Sequence, residues 1–254
     1  MADDGTPRIE RLSEKVAAAL GRRIVSGKYL PGETLPTEPR MQKEFGVSRT
    51  AVREAVRLLS GKGLIESRPK IGTRVRPSVH WNQLDPEVLR WQVDQNPTEE
   101  FIHALFDMRD IIEPAACMRA AERATAAEIE LLGVAADGIQ NNPRGSVEQI
   151  RADVAFHMVI LEASHNPMLR SVGAMIESVL GLTFTMTWRT AMSGDAVLQH
   201  RDIYNAIRDR DGEEAFLAMR RLLRNAKGDM VDAMWLARRE KGSKEEIADP
   251  LVRL

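Results

Sequence analysis

The sequence predicts a mainly α-helical chain, an N-terminal winged helix-turn-helix followed by an all-α antiparallel helical bundle. Three observations lead there. Three helical patterns and two short strand patterns crowd into residues 8–77. Beyond Pro86 only long amphipathic segments follow, with short Asn, Pro or Gly breaks between them. The charge divides at nearly the same place. Residues 1–78 carry 16 Lys and Arg against 9 Asp and Glu, a net of +7, whereas residues 79–254 carry 20 against 28, a net of −8.

The elements follow in order. Ile9, Leu12, Val16, Leu20 and Ile24 recur at helical spacing, so 8–26 is a helix that Gly27 ends. Leu30-Pro31-Gly32 turns the chain, and Thr37 suits the N-cap of a short second helix through Phe45. Gly46-Val47-Ser48 is a tight turn whose serine can cap a third helix, 49–62, closed by Gly63. Leu64–Ser67 and Thr73–Arg76 read as the strands of a hairpin. Residues 78–97 form a linker with a short junction helix over 85–95, and packing between the domains is expected of Trp81 and Trp91. Residues 98–240 form the helical domain, with segments at 98–123, 125–140, 146–164, 166–189, 195–210 and 212–240. Residues 241–254 read as a solvated, flexible tail.

The composition removes several function classes. With 43% hydrophobic and 29% charged residues, the chain is globular and not disordered. One cysteine, Cys117, excludes an internal disulfide framework and any cysteine-based zinc site. The start lacks the basic and apolar regions of a secretory signal, and no apolar run reaches the ~20 residues of a membrane span. A cytoplasmic, soluble chain is expected.

The basic end has the pattern of a DNA reader. Val52, Val56 and Leu59 share one face of the third helix, and Arg49, Arg53 and Arg57 share another. The apolar face can pack on the first two helices while the arginines project into a major groove, where Arg bonds guanine O6 and N7. Arg49, Thr50 and Arg53 are therefore the expected base readers. Lys43, Arg57 and the wing residues Arg68, Lys70 and Gly72 are expected at the sugar-phosphate backbone.

The stretches LPGETLPTE (30–38), FGVSRTAVREAVRLLSGKGLIE (45–66) and GTRV (72–75) resemble the DNA-binding domain of the GntR family of bacterial transcription regulators. That resemblance implies base contacts from Arg49, Thr50 and Arg53. Two positions depart from the family pattern. Pro39 stands where an arginine is frequent, and Lys70 stands where the wing usually has glycine.

In the bundle, Asp153 and His157 lie four residues apart on one helix face, among apolar Val154, Met158 and Leu161. His200 opens a later helix, and Arg109 and Glu113 share a face of the long helix 98–123. Two imidazoles and a carboxylate from separate helices can hold a divalent cation, and an arginine can clamp a carboxylate. An Asp–His hydrogen bond with a surface His200 fits the spacing equally well.

The helical part resembles the FadR-type ligand domain of GntR regulators, the FCD group, over 108–125, 152–169 and 199–223. The resemblance implies a carboxylate effector on Arg109 and a metal, zinc or similar, on Asp153, His157 and His200. The family's fourth ligand, a histidine, is replaced by Leu222, so a three-ligand site or a metal-free site follows. Trp81, Trp91, His165-Asn166-Pro167 and Trp188 are similar to the family's sugar-acid regulators. This implies an effector of galactonate or gluconate type, with Trp188 either stacked on the sugar or packed in the core.

The expected function is a homodimeric repressor on a palindromic operator, released by a small carboxylate. The alternatives are a GntR regulator of another carboxylate (lactate, a dicarboxylate or a fatty-acid derivative), a metalloenzyme of helical-bundle type, and an architectural DNA binder. A di-iron enzyme needs Glu-x-x-His on two helices, and Asp153-x-x-x-His157 has neither the spacing nor a second copy. A purely dimerising bundle gains nothing from burying Asp153 and His157.

Overall fold

A computed structural model describes residues 6–68, 72–95, 97–173, 175–178, 180–181 and 194–248. The chain forms two compact units, Met1–Pro97 and Thr98–Leu254. No described helix is long and apolar enough to cross a membrane.

In the first unit, α1 (Thr6–Val25) buries Val16, Ala17, Leu20 and Ile24, a stripe at helical spacing. The short α2 (Glu38–Phe45) contributes Met41 and ends at Gly46, whose positive φ of 64° returns its N–H to the Gln42 carbonyl. Thr37 stands at the N-cap of α2 but makes no side-chain cap bond there. α3 (Arg49–Gly61) starts where the Ser48 hydroxyl accepts the Ala51 N–H at 3.2 Å. Its buried face is Ala51, Val52, Ala55 and Leu59, while Val56 is half-buried. The wing pairs β1 (Ile65–Arg68) with β2 (Gly72–Val75), antiparallel, from Ile65 opposite Val75 to Arg68 opposite Gly72. Each strand lies one residue from its expected bounds.

The linker packs within this same unit. A 3-10 turn (Ser78–His80) passes so close to Gly63 that a Cβ there would sit 2.2 Å from the His80 carbonyl oxygen. The Asp85 carboxylate caps α4 (Pro86–Asp94) by accepting the Glu87 and Val88 N–H groups. It also accepts the Lys62 ammonium from the end of α3 at 2.7 and 2.8 Å. Trp81 donates its indole N–H to the Arg76 carbonyl, 2.9 Å away. Trp91 lies over Gly21 of α1, where a Cβ would strike the indole at 2.2 Å. Val88 and Trp91 join the core built by α1, α2 and α3. The expectation that Trp81 and Trp91 pack between the domains is thus corrected: the contacts described for both are inside the first unit. Bulky apolar surface on the linker finds its cover in the nearest core, and glycine at 21 leaves the room.

The second unit is all helical among its described residues. α5 (Glu99–Arg123), α6 (Ala126–Asn141) and α7 (Val147–Ala163) are N-capped by Thr98, Thr125 and Ser146, the second through a capping box with Glu128. α8 (Pro167–Ser171) is followed, past a turn at Val172, by further helical residues at 173, 175–178 and 180–181, and then by α9 (Gly194–Arg208) and α10 (Gly212–Ala248). α5 packs on α7, α9 and α10, and α6 packs on α7 and α9. Two expectations change. The segment 166–189 is not one helix, because α8 closes in a tight turn with the Val172 N–H on the Leu169 carbonyl. Its residues 182–189, including Trp188, lie outside the described residues. The segment read as a tail stays helical through Ala248, since Lys, Glu and Ala favour a helix already propagating.

Candidate DNA-reading face and buried Asp-His-His site

The wing, α2 and α3 place Lys43, Arg49, Thr50, Arg53, Arg57, Arg68 and Gly72 on the exposed surface of the first unit. Lys70 lies outside the described residues. Two of the arginines are held by local carboxylates. Arg49 Nε stands 3.3 Å from Glu38 Oε2, and Arg57 grips Glu54 with contacts of 2.6 to 3.1 Å. Such exposed pairs contribute little and exchange readily for phosphate or base partners. Arg53 carries no ion pair among the described residues. The burial of α3's other face fixes the helix beneath this array, so the arginines project from a rigid support.

The second unit gathers its charges in the interior. Arg109 and Glu113 come from α5, Asp153 and His157 from α7, and His200 from α9; all five are buried. Arg109 Nε donates to Glu113 Oε1 at 2.5 Å. The other oxygen of Glu113 faces His157 Nδ1 in a short contact. Burial alone would raise the Glu113 pKa, but the Arg109 guanidinium and then His157 outweigh it and bring it down to about 2. Burial likewise acts to raise Asp153, and His200 first, then His157 and Arg109, leave it below the ordinary range. Cys117, one turn past Glu113, is pushed well above the usual thiol range by burial and by the Glu113 charge, which suits an inert core thiol.

The acceptors facing each imidazole assign its tautomer. His200 Nδ1 lies 2.6 Å from the Ala196 carbonyl and donates to it, as His157 Nδ1 donates to Glu113. Both Nε2 atoms are then turned toward Asp153 Oδ1, at 2.9 Å from His200 and 3.7 Å from His157. Asp153 Oδ1 and His200 Nε2 have no hydrogen-bond partner among the described residues despite their closeness. With neutral imidazoles, a cation between these buried atoms would satisfy them. Ligand atoms of Asp153, His157 and His200 lie within 4.8 Å of one another, so the donor set fits a divalent ion. The alternative from spacing, a hydrogen-bonded Asp153–His157 pair with a surface His200, does not describe this geometry. The pair is at 3.7 Å, and His200 is 1% exposed.

Phe156 fixes both rings edge-on, at 5.9 Å from His157 and 5.1 Å from His200. Arg109, Asp153, His157 and His200 line a cavity of about 40 Å³ together with Leu222 of α10. Leu222 therefore borders the cluster without offering a ligand. Arg109 Nη1 has no hydrogen-bond partner among the described residues. Sequence reasoning did not place Gln199, Asn225 or Asp229 here, yet all three line the cavity. The signal for the latter two was their spacing of three and seven residues from Leu222, which puts them on one stripe. Glu113 was visible only as a partner of Arg109; its link to His157 spans 44 residues.

Comparison with known proteins follows the same division. Residues 12–75 match the family described as bacterial regulatory proteins, gntR family, and residues 104–225 match the FCD domain. The HTH-type transcriptional regulator YieP of Escherichia coli strain K12 is 40% identical over 226 residues, 85% of this chain and 94% of its own. The galactonate operon transcriptional repressor of the same strain is 34% identical over 205 residues, 80% of this chain and 90% of its own. A solved structure of Lar, which controls the expression of the Listeria monocytogenes agr system, aligns with a TM-score of 0.60 at 17% identity. It covers 87% of this chain and 96% of its own, and at that identity it speaks for the fold alone. With a winged helix-turn-helix at one end and an FCD domain at the other, this chain belongs to the GntR family of transcription regulators and is not an enzyme.

Proposed function

We propose that the protein is a homodimeric repressor that sits on a palindromic operator in the cytoplasm and is released by a small sugar acid. The observation that carries this reading is Arg109, a fully buried cation with a free Nη1 facing a cavity beside Asp153, His157 and His200. Glu113 holds the guanidinium through Nε and leaves Nη1 for a carboxylate. The 34% identical galactonate operon repressor supports a sugar acid over other carboxylates. A divalent ion on Asp153, His157 and His200 would supply a Lewis-acidic anchor for the acid's oxygens. Leu222 leaves a coordination position to such an effector.

The 40 Å³ cavity has room for about three waters and not for a six-carbon acid. Effector binding therefore requires the cavity to widen. A repressor needs such a difference, since a ligand shifts only an equilibrium between states that it binds unequally. On DNA, Arg49, Thr50 and Arg53 read bases, and Lys43, Arg57, Arg68, Lys70 and Gly72 hold the backbone. The test is release of the protein from its own promoter DNA by D-galactonate or D-gluconate. Arg109→Lys is expected to lose most of that release, because a point charge does not replace the fork. Full release by the variant refutes the assignment.

A further inference from the structure

The cavity is chemically mixed, which bears on what else an effector carries besides its carboxylate. Arg109, Asp153 and the two histidines line it, and so do Gln199 of α9, next to His200, and Asn225 and Asp229 of α10. Gln199 Oε1 is buried and has no hydrogen-bond partner among the described residues. From Leu222 to Asp229 the stripe runs seven residues along α10, about 10 Å. Asp229 is thus two turns from the position next to the metal-type cluster. Gln199 and Asp229 offer acceptors, and Asn225 an amide that both donates and accepts. Burial and then the neighbouring Asp232 push the Asp229 carboxyl above its usual range.

We infer that Gln199, Asn225 and Asp229 determine specificity, reading the hydroxyl groups of a monocarboxylic polyhydroxy acid and excluding a second carboxylate. The inference rests on the reading of Arg109 as the carboxylate anchor. Hydroxyls answer the whole set, because each can donate to Gln199 or Asp229 and accept from the Asn225 amide. An ammonium group cannot accept from Asn225, and a hydrocarbon tail leaves the buried Gln199 acceptor unmet. A diacid of the same length would set its second carboxylate against Asp229, where like charges repel.

The experiment is calorimetry on the full chain with three probes: D-galactonate, the diacid D-galactarate, and L-lactate, which is too short to reach Asp229. Wild type is expected to bind galactonate at least about tenfold tighter than galactarate, the size of one well-made hydrogen bond or one avoided repulsion. Asp229→Asn, which is isosteric, is expected to gain galactarate binding and shrink that ratio to about threefold or less. Gln199→Leu is expected to weaken galactonate about tenfold and leave lactate unchanged. Lactate binding also reports that each variant is folded at the anchor. If all three acids bind alike in wild type and variants, carboxylate capture stands and the specificity role is overturned. If Asp229→Asn gains nothing for galactarate, the exclusion by Asp229 is overturned. If none of the three acids binds wild type, the anchor reading falls and takes this inference with it.

Discussion

The DNA-reading face and the buried cluster use the same residue type in opposite environments. The Arg49 side chain is 72% exposed and pairs loosely with Glu38, whereas the Arg109 side chain is 2% exposed and clamped to Glu113. The first arginine needs only a helix that points it outward. It changes partners at small cost, which suits a surface that must leave one DNA site for another. The second has no water to fall back on, so its partners are fixed by the fold, and each charge in the cluster compensates the next. A change in the head therefore acts on affinity and leaves the fold alone. A change in the cluster acts on both.

Five substitutions sharpen this contrast, taken from the largest expected effect to the smallest. Glu113→Ala strands the Arg109 guanidinium in the interior. It is expected to cost about 3–5 kcal/mol of stability, read as a fall in the urea midpoint. A loss below about 1 kcal/mol would mean that the cluster behaves like a surface pair. Arg49→Ala leaves the fold intact and is expected to cost about 1–3 kcal/mol on the specific operator, relaxing preference at one base pair. Equal losses on operator and random DNA would remove it from the base readers.

Leu222→His is expected to add a fourth nitrogen ligand and tighten zinc binding to the effector-free protein about tenfold or more, followed by metal titration. His157→Ala is expected to abolish that binding altogether. Unchanged zinc affinity in Leu222→His would show that residue 222 does not reach the ion. The smallest effect is expected of Lys43→Ala, which should weaken all DNA sequences alike and flatten the salt dependence by about one unit of slope. Selective loss on the operator would move Lys43 from the backbone contacts to the base readers.

The contrast also separates what could be read from the chain alone. The head was legible because its features are local. The Ser48 cap, the Gly46 turn and the apolar stripe of α3 lie within a dozen or so residues, and the arginine face follows once the stripe is buried. Asp153 and His157 were legible as a pair because four residues on a helix share a face. Their burial followed from the apolar neighbours. Local pattern also decided the caps of α5, α6 and α7, where Thr98, Thr125 and Ser146 satisfy free N–H groups at the helix starts.

Partners across the fold were decided by the tertiary structure. A periodicity states which face a side chain occupies, not what waits opposite. Trp81 and Trp91 carried apolar surface with two bodies on which to lay it. The absence of a Cβ at Gly21 and the reach of Lys62 to Asp85 settled Trp91 and the linker on the head. Glu113 became the brace of His157 only when α5 met α7, and the tautomer that frees the His157 Nε2 came with that contact. Asn225 and Asp229 entered the cavity because α10 lies against α5 and α9, a choice made by the buried apolar face that includes Ala215, Ala218, Met219, Leu222 and Leu223. The sequence alone determined the two folds, the outward arginines and the paired Asp153 and His157. The structure decided which buried charges meet, because burial makes an unpaired charge so costly that the packing must supply its partner.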